Sequence, residues 1–163
     1  MEKQAITIKG WITFFMIVLF LSGLTAIPVE SELLFISRFI PWGTDLSDWI
    51  TKVYFGVSHT NSEYPFIGYG YDWLAFAHFL LSILFIGPLR DPVRNKWIIE
   101  FGMIACLLII PFALIAGHFR GIPIWWRLID CSFGVIGLIP LGICLTKIDQ
   151  LEKLAKQGIQ YEN

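Results

Sequence analysis

The stretch Trp11–Val29, WITFFMIVLFLSGLTAIPV, contains no charged side chain. A helix needs roughly 20 mainly apolar residues to cross a bilayer, and this stretch has that length. Three more repeat the pattern: Trp73–Leu89, Trp97–Gly117 and Ile124–Leu145. With 56% hydrophobic and 15% charged residues and a mean hydropathy of +0.67, the chain has too little polar surface to face water unaided. These features predict an all-α, four-transmembrane-helix bundle with an amphipathic helical segment outside the cytoplasm between helices 1 and 2. The 163 residues leave room for one integral membrane domain, 1–163, and no separate soluble one. The outer segment is 30–72 and the cytoplasmic tail 146–163.

Composition narrows the function classes. A net charge of −1 argues against a nucleic-acid partner, which calls for a basic stripe. Cys106, Cys131 and Cys144 all fall inside spans and form no CxxC, so they read as small apolar packing residues. There is no Walker, HExxH, GxSxG or dinucleotide-binding glycine pattern. The first stretch reads as a retained helix. Leu24 stands where a signal-peptide cleavage site wants a small residue, and the apolar run exceeds the usual 7–15 residues or so.

Basic residues suggest an orientation. Lys3 and Lys9 precede span 1, Arg90, Arg94 and Lys96 join spans 2 and 3, and Lys147, Lys153 and Lys156 follow span 4. The other side holds Arg38, Lys52, Arg120 and Arg127. Eight against four fits cytoplasmic termini in a bacterial inner membrane. Tryptophans mark both interfaces: Trp11 and Trp97 at inner span ends, Trp73, Trp125 and Trp126 at outer ones.

Within the outer segment, Leu46, Trp49, Ile50, Val53 and Tyr54 follow the spacing of one helical face, predicting an interfacial helix over 47–55 stopped near Gly56. Ser31–Ile40 reads as another short helix ended by Pro41. Ser58–Tyr71, with Pro65, Gly68 and Gly70, reads as irregular. After span 4, Leu145, Ile148, Leu151 and Ala155 continue a helical stripe, read as a solvated extension or a contact for a partner.

Function in a membrane chain is sought among polar residues that hydrocarbon should exclude. Asp72 opens span 2 and His78 lies within it. His118 and Arg120 occupy the turn between spans 3 and 4. Arg127 and Asp130, spaced i, i+3, lie near the outer end of span 4 and are expected to pair. His78 and Asp130 are the acid–base candidates. Asp72, His118, Arg120 and Arg127 are the binding candidates, the arginines suiting an anionic headgroup. Each also has a plain structural reading, such as a histidine bonded to a neighbouring carbonyl. Glu100, near the cytoplasmic end of span 3, is expected to reach Arg94 or Lys96. His59 reads as solvated. Gly134, Gly137 and Leu141 continue the face of Arg127 and Asp130, where small residues let a neighbouring backbone approach. Pro111 and Pro140 are expected to kink their helices.

Four spans, a longer first outer segment, Asp72 and His78 opening span 2, and Asp130-x3-Gly134-x2-Gly137 after an arginine resemble the VanZ-like membrane proteins over roughly Asp72 to Gly142. The resemblance implies an architecture more than an activity, with Asp72, His78, Arg120 or Arg127, Asp130 and Gly137 at the marked positions. The chain departs from the pattern at Gly134, where asparagine is usual, in the wide Asp72–His78 spacing, and in lacking the Glu-x-x-Gln before the arginine.

Three classes of function fit. One is a polar pocket near the outer leaflet that binds or modifies an amphipathic lipid or cell-envelope precursor. Another is a haem-binding electron-transfer subunit with His78 and His118 as axial ligands. The third is a non-catalytic subunit of a larger membrane complex, or a homo-oligomer. No specific cofactor follows from the residues.

Overall fold

Hydrophobic length decides the helices. The computed structural model describes residues 2–156, and the remainder of the expected cytoplasmic tail lies outside them. Among the described residues, seven helices follow one another: α1 (Glu2–Ala26), α2 (Val29–Ser37), α3 (Asp45–Glu63), α4 (Pro65–Leu84), α5 (Ile86–Arg90), α6 (Lys96–Phe119) and α7 (Ile124–Lys156). Four spans are long and apolar enough to cross a membrane: Gln4–Ala26, Pro65–Arg90, Lys96–Phe119 and Ile124–Leu154. The chain is an all-helical protein of integral-membrane type.

Several boundaries differ from the sequence expectation. Span 1 ends at Ala26 and begins nearer the N-terminus, because the more polar residues before Trp11 continue the same helix. The stretch 58–71 is helical on both sides of Tyr64. Gly56 does not stop α3: its carbonyl accepts a hydrogen bond from Thr60 Oγ1 at 2.8 Å within the unbroken helix. Pro65 sits in the first turn of α4, where a missing N–H costs nothing. Residues 65–72 therefore belong to span 2, and the connecting segment is shorter than 30–72. α7 likewise passes Leu145 and continues to Lys156.

The chain divides into two compact units. In the first, comprising 2–17 and 83–156 of the described chain, α6 and α7 form an antiparallel hairpin. The turn uses Gly121 at φ 68°, a left-handed position that suits glycine after a helix end. Ile122 N–H closes it on the Gly117 carbonyl at 2.9 Å. Glycines then bring the two helices together. A Cβ on Gly134 would strike the Cys106 carbonyl oxygen, and one on Gly137 would lie 2.7 Å from Cys106 Sγ. Pro111 and Pro140 sit inside these helices without ending them.

The C-terminal end of α7 is packed rather than solvated. Ile148 and Leu151 are buried. Gln150 accepts from Gln4 Nε2 at 3.0 Å, and Cys144 Sγ donates to the Ile8 carbonyl at 3.7 Å. Lys96 Nζ reaches Asp149 at 2.6 Å, Glu152 at 3.3 Å and, as expected, Glu100 at 4.0 Å.

The second unit, 18–82, holds the end of α1, the α2–α3 hairpin and most of α4. Thr44 and Ser47 form a reciprocal capping box at the start of α3. Ile50 and Leu33 are buried where α2 and α3 pack together. Gly23 of α1 admits α4, since a Cβ there would lie 2.9 Å from the Ala75 carbonyl and His78 Cβ.

Candidate functional site

A cavity of about 700 Å³ opens where span 1 gives way to α2 and span 2 begins. Its apolar wall includes Ile27, Pro28 and Phe66, and its polar groups come from Glu30, Asn61, Tyr71 and Asp72. None of its lining residues is basic. Helix geometry explains the arrangement. Pro28 breaks the line of α1 and α2, placing Glu30 in the first turn of the new helix, where an acidic side chain suits the positive dipole end. The extension of α3 past Gly56 carries Asn61 alongside, so that Asn61 Nδ2 donates to Glu30 Oε2 at 3.0 Å. Hydrogen bonds from Asn61 and Ser58 hold the Glu30 carboxyl below its ordinary value, so Glu30 keeps its charge in mildly acidic solution. A second hollow of about 310 Å³, lined by Tyr69, Asp72, Trp73 and Phe76, shares Tyr69 and Asp72 with the first.

Only one of the sequence-selected residues, Asp72, lines this cavity. His78, one turn into the apolar part of α4, donates from Nδ1 to the Leu74 carbonyl at 2.8 Å. That is the plain structural role for a histidine in a span. Asp72 and His78 belong to the second unit, while His118, Arg120, Arg127 and Asp130 belong to the first. His118 and Arg120 are exposed at the end of α6, with the His118 ring edge-on to Phe119. Among the described residues no group of three or more His, Cys, Asp or Glu converges to hold a metal ion.

The anticipated Arg127–Asp130 pair is not formed. Among the described residues, every ion pair involves Lys96. Arg127 lies instead across Gly117 of α6 and donates from Nη1 to the Leu114 carbonyl at 3.2 Å. Its Nε is enclosed without a hydrogen-bond partner. The hairpin geometry is the reason: a glycine in the facing helix gives the long side chain a groove across the interface and away from its own helix. Arg127→Leu and Asp130→Leu should therefore act independently. Their effects on unfolding free energy in detergent should add within about 0.5 kcal/mol. A coupling above about 1 kcal/mol in the double-mutant cycle would restore the pair.

Glu30, Asn61 and Tyr71 were not legible as site residues. Two signals bear on them. An acidic residue lies within four positions of a span's end, and tyrosines at 64, 69 and 71 cluster where a second span begins. No protein-family model, curated protein or solved structure matches this chain.

Proposed function

We propose that this chain is a membrane-embedded binding protein for an amphipathic molecule whose headgroup is cationic, such as a primary amine. The cavity beside Glu30 and Asp72 carries this reading. Its volume lies within the usual range of roughly 300–1,000 Å³ for small-molecule sites, and its charged lining groups are both carboxylates. An anionic headgroup on arginines, the first expectation, is disfavoured there because two carboxylates would repel it. The basic-residue asymmetry supports a cavity on the outer side of a bacterial inner membrane, with cytoplasmic termini. The VanZ-like resemblance enters through the four-span architecture alone. His78 and Asp130 are not among the lining residues, so the reading assigns binding and no reaction.

Native mass spectrometry of the detergent-solubilised protein, mixed with equal amounts of phosphatidylethanolamine and phosphatidylglycerol, tests this. The amine-bearing lipid should be retained severalfold more than the anionic one. Glu30→Gln with Asp72→Asn should bring the two to parity. Because its hydrogen bonds hold the Glu30 carboxyl below its ordinary value, the preference should persist in mildly acidic buffer and fall at lower pH, as the carboxylate gains a proton. Equal retention by the unsubstituted protein, or preference for phosphatidylglycerol, would refute the proposal.

A further inference from the structure

Among the described residues, the α2–α3 hairpin leaves one face of α2 exposed. Leu33 turns toward α3 and is buried, as is Ile50 of α3. At 100° per residue, Leu34, Phe35, Arg38 and Phe39 fall in an arc of about 140° centred roughly opposite Leu33. Phe35 is 60% exposed, Phe39 71%, and Trp42 in the following turn 91%. The Phe35 and Phe39 rings meet edge-on at 5.1 Å, so these two exposed aromatics form one patch. Exposure of this degree occurs elsewhere on the chain at side chains of the spanning helices, as at Phe112, 73% exposed in α6. α3 is more mixed: Phe55 is 65% exposed, but its other outward positions include Asp48, Thr51, Lys52, His59 and Glu63.

Connectivity fixes what lies near that face. α2 begins three residues after the last residue of span 1, and a single residue, Tyr64, separates α3 from span 2. Both ends of the hairpin are thus tethered at the level where spans leave the hydrocarbon. A helix held there with one apolar face buries that face in the adjoining leaflet. Arg38 lies within the apolar arc, and its long stem can follow the aromatics while the guanidinium returns to the phosphates. The exposed patch is continuous in chain and in character with the lipid-facing end of α1, where Leu21 and Leu24 are exposed.

We propose that α2 is a monotopic membrane element: Phe35, Phe39 and Trp42 are embedded among the acyl chains of one leaflet, Arg38 meets the lipid phosphates, and α3 rides on its water side. The embedded occupant is lipid rather than a second copy or a soluble partner. This does not depend on the cavity holding a ligand.

Site-directed spin labelling in phosphatidylcholine vesicles tests the arrangement. Phe35→Cys, Phe39→Cys and Lys52→Cys replace exposed side chains, and the native cysteines are buried. Unsubstituted protein labelled in parallel supplies the background. Collisions with oxygen should exceed those with a water-soluble nickel chelate at 35 and 39, and the order should reverse at 52. Chelate-dominated collisions at 35 and 39 would overturn the proposal. So would low accessibility to both reagents with spin–spin broadening, the signature of a second copy, or without it, the signature of a protein partner. As a label-free check, the emission lost on Trp42→Phe should be blue-shifted and quenched by brominated phosphatidylcholine. An unquenched, red-shifted Trp42 component would equally overturn it.

Discussion

Gly134→Ala is expected to destabilise the protein by about 2–3 kcal/mol, while Gly142→Ala, one helix away from any obstruction, is expected to be neutral or stabilising. The substitution is the same and both sites lie in α7. Alanine is intrinsically the better helix former by about 1 kcal/mol, and at Gly142 an added Cβ meets nothing within 4 Å. At Gly134 it would meet the carbonyl oxygen of Cys106. A backbone atom in the middle of α6 cannot move aside without displacing the helix, so the cost is that of overpacking a close interface. Leucine at Gly102 should behave similarly, since a Cβ there already lies 2.9 Å from the Phe85 ring and 3.0 Å from Leu141. Unfolding in mixed micelles, followed by helix content, separates the cases. Equal effects of the two alanine substitutions would mean that α6 and α7 do not approach at Gly134.

The same glycines show what a sequence reading can and cannot reach. Spacing marked Gly134, Gly137 and Leu141 as one face, and the structure packs that face against α6. The four spans were legible because bilayer thickness sets a length that few other features imitate. Segment 58–71 was not, because Asn61, Pro65, Gly68 and Gly70 each favour turns in isolation. Context overrides them: proline is harmless in a first helical turn, and the glycines sit in a helix anchored by its apolar continuation. The Arg127–Asp130 spacing was legible as well, but spacing reports only proximity along one helix. It could not reveal that Gly117, on another helix, offers the arginine a different place. The cavity depended on a similar fact of packing. Glu30 and Asn61 meet only because α3 runs on past Gly56.

Leu151→Asp should release the C-terminal end of α7. Leu151 is 1% exposed, and the helix around it is held by Gln4, Ile8 and Lys96 through the contacts of Gln150, Cys144, Asp149 and Glu152. A carboxylate at 151 would be buried without a partner, beside two acids that already share one lysine. The expected loss is about 3–4 kcal/mol of local stability. It should be expressed as opening of this segment more than as global unfolding, because the spans are restrained by the bilayer. Amide hydrogen exchange should therefore rise by about two to three orders of magnitude over 146–156 and stay unchanged in α6 between Gly102 and Gly117. Lys153→Asp, at an exposed neighbour, should shift exchange by less than the equivalent of about 0.5 kcal/mol. Lys96→Met should loosen the same segment to an intermediate degree, since it frees two carboxylates but leaves the apolar contacts of Ile148 and Leu151. If Leu151→Asp left exchange over 146–156 at its original rate, the extension would be a solvated helix, as its sequence alone suggests, and the contact of α7 with α1 and α6 at that end would not exist.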